Sequence, residues 1–351
     1  MKIAIIGYGG MANYHNGHII KCLNDSDYSE KLEVVGAYDI NPKFAIENGV
    51  HIFDSADNIF GNPDIDIVLI ATPNDVHLPY VERAIASGKH VILEKPAGLN
   101  CAEVEKMYDI AKKKDVVFSP HQNRRWDEDY LSVVDVEKSG ILGRVYRIES
   151  RVMGSNGIPG EWRKIKSQGG GMMLDWGVHL VDQMLLWIDS AVDTVYCSYS
   201  YEEGEEVEDG FDLEVRFKNG VLYRIVVDTN TFIELPRWQL YGTEGTASVS
   251  EWQNGKVEGK IVRCVLRDDE ELKGVSAGNG FTKTMARRRT ETTVSQPLKH
   301  IKAKPNAFYE NFVDAVRFKK PTNVTEEQQK TLFRVMELAE RSALEKKVIK
   351  F

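Results

Sequence analysis

Five short apolar runs within the first 120 residues, "KIAIIG", "LEVVGAYD", "DIDIVLIAT", "KHVILEKP" and "DVVFSP", confine this part of the chain to very few folds. The runs are too continuously apolar for half-exposed strands, so they read as strands buried on both faces, as in a parallel sheet. Between them, "VHLPYVERAIASG" and "CAEVEKMYDIAKKK" space their apolar residues at helical intervals and end in glycine or lysine. Parallel neighbours need a crossover connection, and these segments supply it. The pattern predicts an α/β, doubly wound N-terminal domain of the Rossmann type over residues 1–122.

After Trp126 the pattern changes. A helix is expected over about Glu128–Lys138, a strand over Arg144–Val152, and a helix within "GGGMMLDWGVHLVDQMLLW" (169–187). From Val192 onward, "VDTVYCSYS", "FDLEVRF", "VLYRIVVDT", "RWQLYG" and "GTASVS" follow one another as strands, with Asn219 and Gly220 at a hairpin turn. Residues 123–351 are therefore expected to form an α+β domain with a large, mostly antiparallel open sheet. Its closing helix, about Glu326–Glu345, can pack back on the first domain. Such a sheet leaves one face free, with Tyr196, Tyr223 and Trp238 as residues of that face.

The bulk properties narrow the class. Of 351 residues, 42% are hydrophobic and 28% charged, and no apolar run approaches the roughly 20 residues of a membrane span. The opening "KIAIIG" is too short for the apolar core of a secretory signal, so a cytoplasmic protein is expected. Cys22, Cys101, Cys197 and Cys264 stand singly and read as reduced thiols. A net charge of -8 opposes nucleic-acid binding. The basic run Arg287–Arg289 and the acidic "EEGEEVED" (202–209) read as solvated connections. The eight histidines include no closely spaced ligand set, and no metal is expected.

"IAIIGYGGMA" places Gly7, Gly9 and Ala12 as G-x-G-x-x-A where the first strand meets a helix, with Gly10 and Met11 inside the turn. The first glycine serves the tight turn, and the second lets backbone approach a pyrophosphate at the helix N-terminus. The second strand ends in Asp39, placed to accept hydrogen bonds from an adenosine ribose. A carboxylate there repels a 2′-phosphate, and no arginine follows it directly, so NAD is favoured over NADP.

Lys95 ends a strand at "ILEKP", where open α/β sheets bind ligands. Asp175 and His179 are four apart and would share one helix face. Taken alone, Asp175 reads as a helix cap and His179 as a satisfied core histidine as readily as a catalytic pair. Taken together, the G-x-G-x-x-A turn, "ATPNDVH" (71–77), Glu94-Lys95-Pro96, "QNRRW" (122–126) and "GGGMMLDWGVH" resemble the Gfo/Idh/MocA family of NAD(P)-dependent oxidoreductases along essentially the whole chain.

The resemblance implies that Lys95, Asp175 and His179 form the catalytic group. It also implies that Ala71, Thr72, Pro73, Asn74 and His77 lie along the cofactor, with Glu94, Gln122 and Arg125 near the nicotinamide or substrate. Trp162, Arg163 and Trp176 are further candidates for the substrate pocket, since aromatic faces stack on sugar rings and arginine bonds hydroxyls. Residue chemistry agrees: oxidising a secondary alcohol needs a base for the hydroxyl proton, and histidine suits that near neutrality. Asp175 could bond a sugar hydroxyl or place the imidazole, and Lys95 could stabilise the developing alkoxide.

The expected function is an NAD-dependent dehydrogenase acting on a ring alcohol of a sugar, glycoside or inositol. The alternatives are a glycosidase of the same fold that uses transient oxidation and elimination, and a non-enzymatic sugar sensor, which would not need lysine and histidine together. Sheets of this family pack across subunits, so a homo-oligomer (dimer, tetramer or larger) is expected through residues from about 190 to 260.

Overall fold

The computed structural model describes residues 1–160, 162–266, 274–285 and 288–351; Arg287 of the basic run lies outside them. Strands β1 (Lys2–Ile6), β2 (Glu33–Tyr38), β3 (Ile67–Ile70), β4 (His90–Leu93) and β5 (Phe118–Pro120) form an all-parallel sheet in the order β2-β1-β3-β4-β5. All four residues of β3 are buried, which explains why the run carries no polar alternation. Helices α1 (Gly10–Tyr14), a π-wound segment His15–Ile20 and α2 (Lys21–Asp25) run on from one another after β1. Helices α3 (Lys43–Glu47), α4 (Ala56–Phe60), α5 (His77–Ala86) and α6 (Cys101–Lys114) complete the layers. The Asn100 side chain accepts the Glu103 N–H at the start of α6, and Asp115 closes it in the left-handed region, so both ends are capped.

The second domain opens with α7 (Glu128–Lys138), β6 (Val145–Met153) and α8 (Val178–Trp187). Strands β7 (Val192–Ser200), β8 (Gly210–Phe217), β9 (Leu222–Asp228), β10 (Trp238–Gly242), β11 (Gly245–Glu251) and β12 (Glu258–Cys264) follow. A small hairpin, β13 (Val275–Ala277) and β14 (Gly280–Thr282), precedes β15 (Thr293–Pro297). After α9 (Ala307–Phe318) and α10 (Glu326–Glu345), the chain ends in β16 (Ile349–Lys350). The large sheet has nine strands in the order β15-β12-β11-β10-β6-β9-β8-β7-β16, with β6 and β9 parallel and the other pairs antiparallel.

The free face of this sheet differs from the expectation. Tyr223 and Trp238 are completely buried, packed edge-on against Trp187 on the helix side. The register explains it: Trp238 pairs with Ser150 and Leu240 with Ile148, so the two-residue period puts them with the core set. Tyr196 does lie exposed. The outer face carries charged residues instead, with Glu149 between Arg147 and Arg151, and Arg224 Nε donating to Asp212 Oδ1 at 2.8 Å.

Helix α9 returns to the first domain, where Phe308, Tyr309, Phe312 and Val313 join the core of Ile3, Ile5, Ile19 and Ile20. Helix α10 lies between β7, α8 and α6, with Lys330 Nζ 3.1 Å from Glu105. The loops after β3 and β4 meet the segment 169–179 through Asn74–Gly169 and Lys95–Asp175 hydrogen bonds. No helix is long and apolar enough to cross a membrane among the described residues.

Candidate active site

The turn after β1 is shaped for a close ligand. Gly7 has φ +83°, and a Cβ there would lie 2.7 Å from the Ala71 carbonyl oxygen, so a side chain is excluded. Gly9 and Gly10 face open space, with nothing within 4 Å of an added Cβ, while Ala12 is buried against the sheet. Met11 is exposed at the rim. Beside the turn, the buried Thr72 hydroxyl has no hydrogen-bond partner. At the end of β2, Asp39 accepts the Tyr8 N–H at 2.6 Å and the Asn41 N–H at 2.7 Å, which holds its carboxylate at the mouth of the turn. A bare backbone cradle, an orphaned hydroxyl and an acid at the next strand end fit a dinucleotide with its pyrophosphate at α1.

Across the cleft, the glycine run delivers the second group of residues. Gly171 adopts φ +99°, and a Cβ would fall 2.5 Å from the Glu208 carboxylate. Glu208 is there because its Oε1 accepts the Met173 N–H at 2.9 Å, holding the first turn of the helix that follows. Residues Met173–Gly177 are π-wound before α8 begins, so Asp175 and His179 belong to differently wound segments. Lys95 Nζ donates to Asp175 Oδ1 at 2.9 Å and to its carbonyl oxygen at 3.0 Å, and Arg163 Nε lies 3.4 Å from the same Oδ1. Burial pushes the Asp175 carboxyl up, but Lys95 and Arg163 more than offset this and hold it below its ordinary value. Asp175 is therefore an ion-paired carboxylate, neither a helix cap nor an orienter of the imidazole.

His179 is 5% exposed, and its Nδ1 is buried without a partner. That departs from a satisfied core histidine. Burial, and then the charges of Lys95 and Arg124, push its pKa well below the ordinary 6.5. The ring is neutral at physiological pH and available to take a proton.

Several expected contacts are placed elsewhere. Arg125 is 5% exposed and turned inward, its Nε and Nη2 donating to Asp182 at 2.7 and 2.6 Å and its Nη1 to Gln328 at 3.0 Å. It fastens α8 to the start of α10 and does not face the cleft. Gln122 is buried against Gln329 of α10. The ring nitrogens of His77 lie 2.9 and 3.0 Å from the carbonyl oxygens of Pro96 and Thr72, so it ties two loops together. Asn74 Nδ2 donates to Gly169 O at 2.8 Å, joining the Pro73 loop to the glycine run. Glu94 is committed to His15 and His121, which sequence spacing could not bring together. The acidic stretch is not merely solvated either: Asp209 is 2% exposed and accepts the Ser200 hydroxyl and the Glu203 N–H.

Removing the Arg125 side chain would strand Asp182 as a buried, unpaired carboxylate, at an expected cost of about 3–5 kcal/mol. Urea unfolding of Arg125→Ala checks this. A variant of unchanged stability that has lost activity would instead return Arg125 to the site.

Arg124 and Trp252, to which the sequence assigned no role, pack around Trp176. The Arg124 guanidinium lies 4.2 Å over the Trp176 ring and pairs with Asp127 at 2.9 Å. Burial pushes the Asp127 carboxyl up to about 6, with Arg124 opposing it. Trp252, from the β11–β12 connection, meets Trp176 edge-on at 6.2 Å. Arg163 lies 4.4 Å over the Trp162 ring. The short helical turn Asn123–Trp126 sends adjacent arginines to opposite sides, so "RR" alone did not reveal which faces the cleft. Trp252 sits in no motif.

The family model described as oxidoreductase family, NAD-binding Rossmann fold, matches residues 1–122, and that of the GFO/IDH/MocA C-terminal domain matches residues 130–248. The crystal structure of an NAD-binding protein from Listeria innocua superposes with a TM-score of 0.93 at 38% identity, over 100% of this chain and 99% of that one. The scyllo-inositol 2-dehydrogenase (NADP(+)) of Bacillus subtilis is 23% identical over 99% of this chain and 95% of its own length. The 1,5-anhydro-D-fructose reductase of Ensifer adhaerens is 31% identical, and that match spans 58% of this chain and 62% of the relative.

Proposed function

The chain belongs to the Gfo/Idh/MocA family of oxidoreductases, and from that premise we propose that it oxidises a ring secondary alcohol of a sugar, glycoside or inositol with NAD. The observation that carries the reading is the neutral, buried His179 with its unpartnered Nδ1, set against the Lys95–Asp175 pair at the end of β4. The Gly7–Ala12 turn and Asp39 would hold NAD, which would supply the hydride acceptor. His179 takes the hydroxyl proton. Lys95, held by Asp175, presents its ammonium to the oxygen as negative charge develops there. Asp175 keeps lone pairs free for a neighbouring hydroxyl. Trp176, with Arg124 above it and Trp252 at its edge, offers a flat apolar wall for the ring.

The test is direct: purified protein, NAD and a panel of inositols and glycosides, followed by the absorbance of reduced nicotinamide. Reduction with at least one ring alcohol is expected. Free sugar released without net NADH would point to the glycosidase chemistry, and bound NAD with no turnover on any ring alcohol would remove the dehydrogenase reading.

The choice of NAD rests on Asp39. Its side chain already accepts two backbone N–H groups, and a carboxylate retains capacity for ribose hydroxyls. Asp39→Ala is expected to weaken NAD about 10-fold and to raise the relative use of NADP, through lost hydrogen bonds and relieved repulsion at the 2′ position. Fluorescence titration with both nucleotides reads this out. Tighter binding of NADP than NAD by the unmodified protein would refute the assignment.

The same reading includes a homo-oligomer built on the outer face of the nine-stranded sheet. Glu149 lies on that face yet is only 3% exposed, covered by Arg147 and Arg151, and Tyr196, Leu222 and Val226 add apolar area beside the ion pairs. A flat face of this kind suits a two-fold contact. Light scattering at micromolar concentration is expected to give a multiple of 39.8 kDa, and the mass of one chain would contradict it.

A further inference from the structure

A second buried cluster of titratable side chains lies behind the same strand end. Glu94 Oε1 is 2.6 Å from His15 Nε2 and 2.8 Å from His121 Nδ1, its Oε2 accepts the Lys95 N–H at 3.2 Å, and the Tyr309 hydroxyl is 2.7 Å from His15 Nδ1. His15 and Tyr309 are fully buried, with His121 at 1% and Glu94 at 6% exposure. The geometry distributes the protons. An ionised carboxylate can only accept, so His15 donates from Nε2 and His121 from Nδ1, and a neutral His15 then accepts the Tyr309 hydroxyl at Nδ1. Burial pushes His15 down from its ordinary value, further keeping it neutral. Burial pushes Glu94 up, but its two histidine contacts prevail and hold it well below. The nearby Lys95 ammonium is hydrogen-bonded to Asp175 and not to Glu94.

A neutral His15 leaves the ionised Glu94 carboxylate in a setting where an uncompensated ion is costly. The Glu94 charge acts to raise His179, against the larger opposing charges of Lys95 and Arg124. Glu94 also ends β4 one residue before Lys95, at the carboxyl edge of the sheet where ligands bind.

We propose that Glu94, fixed as an anion by His15, His121 and Tyr309, is a positioning and charge-setting residue that favours the oxidised, cationic nicotinamide over the neutral reduced ring. The inference rests on the dinucleotide reading above. Hydride transfer adds two electrons and one proton to the ring and cancels its positive charge, so a nearby anion stabilises one form more than the other. A single charge acting across several ångströms of protein interior changes such a ratio by about 10-fold.

The test is calorimetric titration of the full-length protein with NAD and with NADH at about pH 8, above the unperturbed histidine range. The unmodified protein is expected to bind NAD at least as tightly as NADH, and Glu94→Gln to shift the ratio about 10-fold toward NADH. Tyr309→Phe, which leaves the carboxylate in place, is expected to keep the parental ratio. Two results overturn the inference: unmodified protein that binds NADH about 10-fold tighter than NAD, or folded Glu94→Gln with the parental ratio. Zinc found at one per chain by metal analysis would also overturn it, because a dication on His15, Glu94 and His121 would reverse the local charge. Failure of both nucleotides to bind would instead remove the dinucleotide reading.

Discussion

Lys95→Ala is expected to lower turnover by about 100-fold or more, equivalent to about 2.7 kcal/mol of barrier, while NAD still binds. The ammonium is 17% exposed on its side chain and is aimed by two hydrogen bonds to Asp175, so it is already oriented when the alcohol oxygen begins to gain charge. Little of the binding energy for NAD would be lost, since the turn at Gly7 and the acid at Asp39 lie at other strand ends. The variant carries a second signature. Lys95 is one of the charges that lower His179, so its removal lets the imidazole pKa rise. The acidic limb of the rate profile would then move to higher pH. Turnover of Lys95→Ala equal to that of the parent would exclude the lysine from the chemistry.

His179→Ala is expected to cost at least as much, because loss of the base leaves the hydroxyl proton with no acceptor but water. In the unmodified enzyme, kcat/KM should stay level as pH falls through 6.5, where an ordinary histidine titrates, and decline only at lower pH. The sign follows from burial: the folded site refuses a proton that the free side chain would accept. The same difference acts on stability. Below about pH 6.5 the unfolded chain takes up that proton while the folded chain does not, so His179 lowers stability progressively as pH falls, an effect absent above that range. A profile that declines with a midpoint at the ordinary histidine value would show that the base is solvated or that another group serves.

The parts legible in the sequence were those governed by short-range periodicity. The five parallel strands are visible because burial on both faces leaves continuous apolar runs, and the two long crossover helices because their apolar residues fall at helical intervals; α10, expected over about Glu326–Glu345, is observed with those bounds. The hairpin at Asn219–Gly220 likewise declares itself. Strands β12 and β15 do not: β12 buries Ile261 in a run of partly exposed residues, and an edge strand needs no regular apolar face. The site divides in the same way. Lys95, Asp175 and His179 were singled out because each sits in a spaced motif, yet the π-wound turn that carries Asp175 has no sequence mark. Arg125, expected near the nicotinamide or substrate, pairs with Asp182, while Arg124 lies over Trp176, because their directions depend on a four-residue helical turn. His15, Glu94, His121 and Tyr309 come from four separate segments, and only the folded core joins them.

The central claim is that hydride passes from a ring carbinol carbon to bound NAD with His179 as base. It is tested most directly with a polyol deuterated at its ring carbons, incubated with the enzyme and NAD, and with mass analysis of the recovered dinucleotide. One deuterium on the reduced nicotinamide is expected for each ketone formed. Sugar turnover in which the deuterium stays on the carbohydrate at the end of the reaction, with no labelled dinucleotide released, would contradict it.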